Sequence, residues 1–158
     1  MGSKSSKGMS YEYQPLEIDS RTDYDDEIDW YEVRLGNLFH GSINWAANGL
    51  SNMFTSNSTK HCWVVIRTKK DWYYCAQVTG GSAPLTRYGS FSSADDAGRR
   101  VCYGLCGNWP NDITVWYKYS PSNKKMRDVV DFMRNTDRHY HLIHNNCQDF
   151  GKRFYHAI

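Results

Sequence analysis

In the segment HLIHNNCQDFGKRF, His141 to Phe154, a cysteine follows two asparagines and opens a run with helical spacing. Phe150 and Phe154 stand one turn apart, Asp149 falls in the first turn, and Lys152 and Arg153 come later, an order of charges that suits the helix dipole. A sulfur at such a position lies near unpaired backbone N–H groups, which favour thiolate over thiol. The same donors can hold a developing oxyanion. Cys147 is therefore a candidate nucleophile.

Thiolate attack works best beside a group that takes a proton and later returns it to the leaving group, normally histidine. His40, His61, His139, His141, His144 and His156 are the candidates. His61 opens HCWVVIRT, a run rich in valine, isoleucine and tryptophan, so packing would hold its ring in place. A third group should orient that ring. Tyr73, Cys75 and Gln77 share one face of the neighbouring run Trp72 to Val78 by period-two alternation. Gln77, with an amide able to accept or donate, is the choice.

Plainer roles compete with these. A free cysteine is commonly a small buried hydrophobe, which suits Cys62, Cys75, Cys102 and Cys106 among their apolar neighbours. Asn145 and Asn146 have reason enough to be there as turn formers and caps. His139, His141 and His144 with Cys147 make a conceivable metal set, but no C-x-x-C or H-x-x-x-H pair supports one. No metal or cofactor is expected.

A histidine on an early strand, KHCWVVI, and a cysteine opening a late helix, NNCQDF, together resemble the circularly permuted papain-like thiol enzymes of the NlpC superfamily. Two of its branches share an N-C-x-x-F signature, the lecithin:retinol acyltransferase-like proteins and the PPPDE peptidases. Asn146, Cys147 and Phe150 match it. The resemblance covers roughly residues 61 to 154 and implies Cys147 as nucleophile and His61 as base. Two positions depart from the pattern: Asp149 stands where these branches commonly carry histidine, and Cys62 separates His61 from Trp63.

The elements that must position these groups are legible in outline. WYEVRL, Trp30 to Leu35, alternates as a strand, and INWAANGLSNMF, 43–54, has helical spacing weakened by Gly49, with a loop over 55–59. Residues 61–68 and 72–78 form a hairpin around Lys69-Lys70-Asp71, ended by Gly80-Gly81 and followed by a glycine- and serine-rich loop. SADDAGRRVCYGL, 93–105, reads as a helix with Ser93 and Asp96 as an approximate capping box. Residues 112–119 alternate as a strand with one partly solvated face. Met126, Val129, Val130 and Met133 mark an amphipathic helix, and HYHLI, from His139, is a short strand. The fold expected is α+β, an antiparallel sheet of about four to six strands flanked by helices in the permuted papain-like arrangement.

With 158 residues, 40% of them hydrophobic and 15% aromatic, the chain can bury one core. That core is expected within a single domain over 30–158, because the preceding residues 1–29 are acidic and poor in apolar anchors and read as a flexible arm. The leader MGSKSS fits M-G-x-x-x-[ST] with Gly2 as a candidate myristoylation site, beside Lys4 and Lys7. One such chain gives only reversible membrane binding. The other reading of these residues is a short floppy leader before Met9.

Net charge is +2 with scattered basic residues, which argues against nucleic acid as partner. Five cysteines and no apolar signal segment argue for a reducing compartment, cytoplasmic or peripheral on the cytoplasmic face of a membrane. The function expected is a thiol hydrolase acting on an acyl or isopeptide bond of a peptide, ubiquitin-like or acyl-lipid substrate. The alternatives are a lipid acyltransferase or phospholipase, and a non-catalytic membrane-associated binding module.

Overall fold

A computed structural model describes residues 12–37, 60–140 and 147–158. Eight strands and three helices lie among them: β1 (Glu12–Tyr13), β2 (Leu16–Ile18), β3 (Ile28–Asn37), β4 (Lys60–Thr68), β5 (Tyr73–Ala76), β6 (Ala83–Tyr88), α1 (Phe91–Cys106), β7 (Ile113–Tyr119), α2 (Met126–Asn135), β8 (His139–Tyr140) and α3 (Cys147–Ala157). Six strands form one sheet in the order β2-β6-β5-β4-β3-β7, antiparallel except where β2 runs parallel to β6. β1 pairs with β8 as a separate ribbon. The α+β class and the mostly antiparallel sheet agree with the sequence-based expectation.

β4 reads as a nearly unbroken apolar run because it is covered on both faces. On one side Trp63 and Val65 pack with Cys75 and with Ala94 and Cys102 of α1. On the other, Cys62, Val64 and Ile66 join Tyr31 and Val33 of β3, Met126, Val129, Val130 and Met133 of α2, and Phe150 and Phe154 of α3. The four apolar positions that mark α2 in the sequence are all buried. Among the described residues no helix is long and apolar enough to cross a membrane.

Three local expectations need correction. The arm expected over 1–29 does not hold for residues 12–29, where β1, β2 and a succession of turns join the domain. The acidic stretch is ordered because its charges are answered, one by Arg21 within it and the others from elsewhere in the chain. Asp19 pairs with Arg21 at 2.8 Å, Asp23 with Lys70 at 2.7 Å, Asp25 with Arg127 at 2.7 Å, Glu27 with Lys69 at 2.5 Å and Asp29 with Arg67 at 2.7 Å. Each exposed pair is worth little alone, but together they remove the repulsion that would have kept the segment extended.

The second correction is β6, which replaces part of the expected glycine- and serine-rich loop. Pro84 has no N–H to give a ladder, yet its carbonyl accepts from Gln77 N and the run is held between β5 and β2. Third, α1 begins two residues earlier than expected. Its cap is Ser90, whose hydroxyl accepts from Ser93 N at 3.2 Å, in place of the Ser93 expected to cap it. Ser90→Ala is expected to cost about 1 kcal/mol of unfolding free energy in a urea titration. Both cysteines of C-x-x-x-C sit on α1, but only Cys102 is buried; Cys106 is half-buried. The helix expected over 43–54, the loop over 55–59, His40, His141, His144, Asn145, Asn146 and Gly2 lie outside the described residues.

Candidate functional site

The start of β4 is where the candidate residues meet. β5 ends at Ala76 opposite Val64, so among the described residues no strand pairs with 60–63 of β4 on that side. The first turn of α3 fills the gap. Cys62 N–H donates to Cys147 Sγ at 3.1 Å, the Cys147 thiol lies 3.9 Å from the Lys60 carbonyl, and Gln148 Nε2 donates to that same carbonyl at 3.1 Å. A thiol and a carboxamide thus take over the edge groups that a ladder would otherwise satisfy. α3 comes this close because Gly151 has no side chain: a Cβ there would lie 2.5 Å from Cys62 Sγ.

His61 projects to the opposite face of β4 from Cys62, as alternation requires, and stacks on Trp63 with ring centroids 5.8 Å apart. Its Nε2 lies 2.8 Å from Gln77 Oε1. The amide orientation follows from its other end, because Gln77 Nε2 donates to the Ala97 carbonyl, which can only accept. Gln77 Oε1 is therefore the acceptor, His61 carries its proton on Nε2, and Nδ1 keeps its lone pair. Among the described residues no hydrogen bond joins the His61 ring to the Cys147 sulfur; the two are linked through the backbone between His61 and Cys62.

Both groups are closed off, His61 2% exposed and Cys147 3%. Burial pushes the Cys147 thiol up to about 12, against the downward pull of the backbone N–H groups of Cys62, Cys147 and Gln148. Burial also lowers His61 to about 4, and the hydrogen bond to Gln77 offsets only part of that. The resting pair is a neutral thiol and a neutral imidazole.

His61 with Gln77 on one face and Cys147 on the other lie at one end of β4. His139 does not join them: it lies on β8 against Tyr13 and Asp137. His156 sits near the far end of α3 beside Tyr155. Three contributors were not singled out from sequence. Trp63 supports the imidazole. Asp95 fixes Trp63 by accepting from its Nε1 at 3.0 Å, and is itself held by Arg34 at 2.7 Å and Arg99 at 2.7 Å. Gln148 anchors the helix start. Position two after His61 on a strand was a usable signal for Trp63, and the i, i+4 spacing of Asp95 and Arg99 for their pairing. Among the described residues no three His, Cys, Asp or Glu side chains gather as a metal site. Compared with family models, with curated proteins and with solved structures, the chain matches none.

Proposed function

We propose that the protein is a cysteine-dependent hydrolase of the permuted papain-like kind, with Cys147 as nucleophile, His61 as general base and Gln77 as the residue that orients it. The observation that carries this reading is the 2.8 Å contact between Gln77 and His61 Nε2, which leaves the Nδ1 lone pair to act as base on the strand whose Cys62 N–H holds the Cys147 sulfur. In the mechanism, Nδ1 takes the thiol proton and the thiolate attacks an acyl or isopeptide carbonyl. The N–H groups around the helix start hold the oxyanion, and His61 returns its proton to the leaving group. Water or another acceptor then releases the thioester. Substrate entry has to expose the sulfur and bring ring and sulfur together, because here the sulfur is 3% exposed and His61 projects to the opposite face of β4.

A second reading draws on that same burial: a binding module in which Cys147 does no more than satisfy the open edge of β4. The test runs two probes side by side, a peptide- or ubiquitin-based electrophile and phospholipid vesicles, with mass spectrometry locating any adduct. A peptidase gives an electrophile adduct on Cys147, and an acyltransferase gives a fatty-acyl thioester there. In the lipid version, a myristoyl group on Gly2 would hold the enzyme near its substrate on the cytoplasmic face of a membrane. Either adduct should form about 10²-fold or more slowly in His61→Ala, the usual worth of a positioned base. If neither probe marks Cys147, the hydrolase reading is wrong and the module stands.

A further inference from the structure

Cys62 interrupts the histidine–tryptophan pair on β4, and nothing in the proposed mechanism uses its side chain. Its surroundings single it out among the other cysteines. Cys75 and Cys102 belong to the cluster on the α1 side of the sheet, with Trp63, whereas Cys62 and Cys147 share the core on the α3 side. The Cys147 sulfur is 3.1 Å from Cys62 N, an atom bonded directly to the Cys62 α-carbon. The Cys62 sulfur in turn rests against Gly151, one turn along α3 from Cys147. Both side chains therefore occupy the seam between β4 and the first turns of α3, with the Cys147 sulfur held beside the Cys62 backbone.

We propose that Cys62 and Cys147 form a peroxide-responsive pair in which Cys62 captures oxidised Cys147 as a reversible disulfide. The inference rests on the hydrolase reading, because the thiolate that attacks peroxide is the one His61 generates. The Cys147 thiolate attacks one oxygen of hydrogen peroxide, the O–O bond breaks, and hydroxide leaves and is protonated to water, which gives the sulfenic acid. Cys62, as thiolate, then attacks that sulfur. The S–S bond forms, the S–O bond breaks, and a second water is released. Two thiols lose two electrons and the peroxide gains them. Burial raises Cys62 as well as Cys147, so oxidation waits on the same opening of the seam as catalysis does. In a reducing compartment such a bond is transient and regulatory.

The full-length protein is treated with hydrogen peroxide, its remaining thiols are alkylated, and the digest is mapped by mass spectrometry. A linked peptide joining Cys62 to Cys147, lost again on treatment with dithiothreitol, is the expected main product. In Cys62→Ser or Cys62→Ala, Cys147 is expected to proceed to sulfinic acid, while Cys102→Ser leaves the link unchanged. Sulfinic acid on Cys147 of the unaltered protein with Cys62 still alkylated, a disulfide between other cysteines, or no oxidation of Cys147 would each overturn the proposal. The linkage is read without turnover. A missing acyl adduct with the disulfide present refutes the hydrolase alone, and an acyl adduct with no disulfide refutes the pair alone.

Discussion

Gly98→Ala is expected to lower the unfolding free energy by roughly 3 kcal/mol, at the severe end of core overpacking, and in a marginal background to prevent folding. Gly98 is buried in α1 where the helix crosses the Trp63 ring, and a Cβ there would sit 2.1 Å from Cδ2 and 2.2 Å from Cγ. These atoms lie next to the backbone, not at the end of a pliable chain. The ring cannot turn aside either, because its Nε1 is hydrogen-bonded to Asp95 and its face carries His61. Alanine normally favours a helix interior by about 1 kcal/mol over glycine, so destabilisation here would isolate the steric contribution. Urea unfolding of the variant measures it. A variant as stable as the parent would mean that α1 does not approach β4 as described.

Stability is expected to fall by about 3 kcal/mol between pH 6.5 and pH 4 on account of His61 alone, since burial lowers this group from 6.5 to about 4 in the folded protein. Over that interval the unfolded chain binds a proton that the folded chain refuses, so acid favours unfolding. The contribution is fully present above pH 6.5 and is lost as pH falls towards 4. Paired carboxylates titrate in acid too, so the measurement is a difference: unfolding free energies of the parent and of His61→Gln across this range. The variant should lack that part of the acid loss. Hydrolysis by the parent should disappear as pH falls through about 4, where a protonated His61 can no longer accept from Cys147. Activity that instead peaks sharply near pH 6.5 would show a solvated histidine as the base.

Periodicity was the most informative signal in this chain. α2 follows from four apolar residues at i, i+3, i+4 and i+7, and α3 from two asparagines in the sequence ahead of Phe150 and Phe154 one turn apart. The β4–β5 hairpin follows from two aromatic and β-branched runs around a polar turn. These patterns depend on neighbours close in sequence, where the side-chain period and the turn chemistry act directly. Period-two alternation carried one residue beyond β5 also singled out Gln77, which is why it could be named before its contact with His61 Nε2 was known.

What depends on distant partners was not legible. The segment from Asp19 to Asp29 looks repulsive on its own, and only its lysine and arginine partners elsewhere in the chain make it part of the domain. β6 needs strands on both sides to outweigh its proline. The state of Cys147 is decided the same way. A helix start favours a thiolate, but the depth at which α3 meets β4 is set by Gly151 against Cys62, and at that depth loss of solvent outweighs the backbone N–H groups. Residue types and spacing paired His61 with Gln77; the tertiary structure set Cys147 on the other face of β4 and decided the charge of each, because burial is a property of the whole packed core and of no short stretch within it.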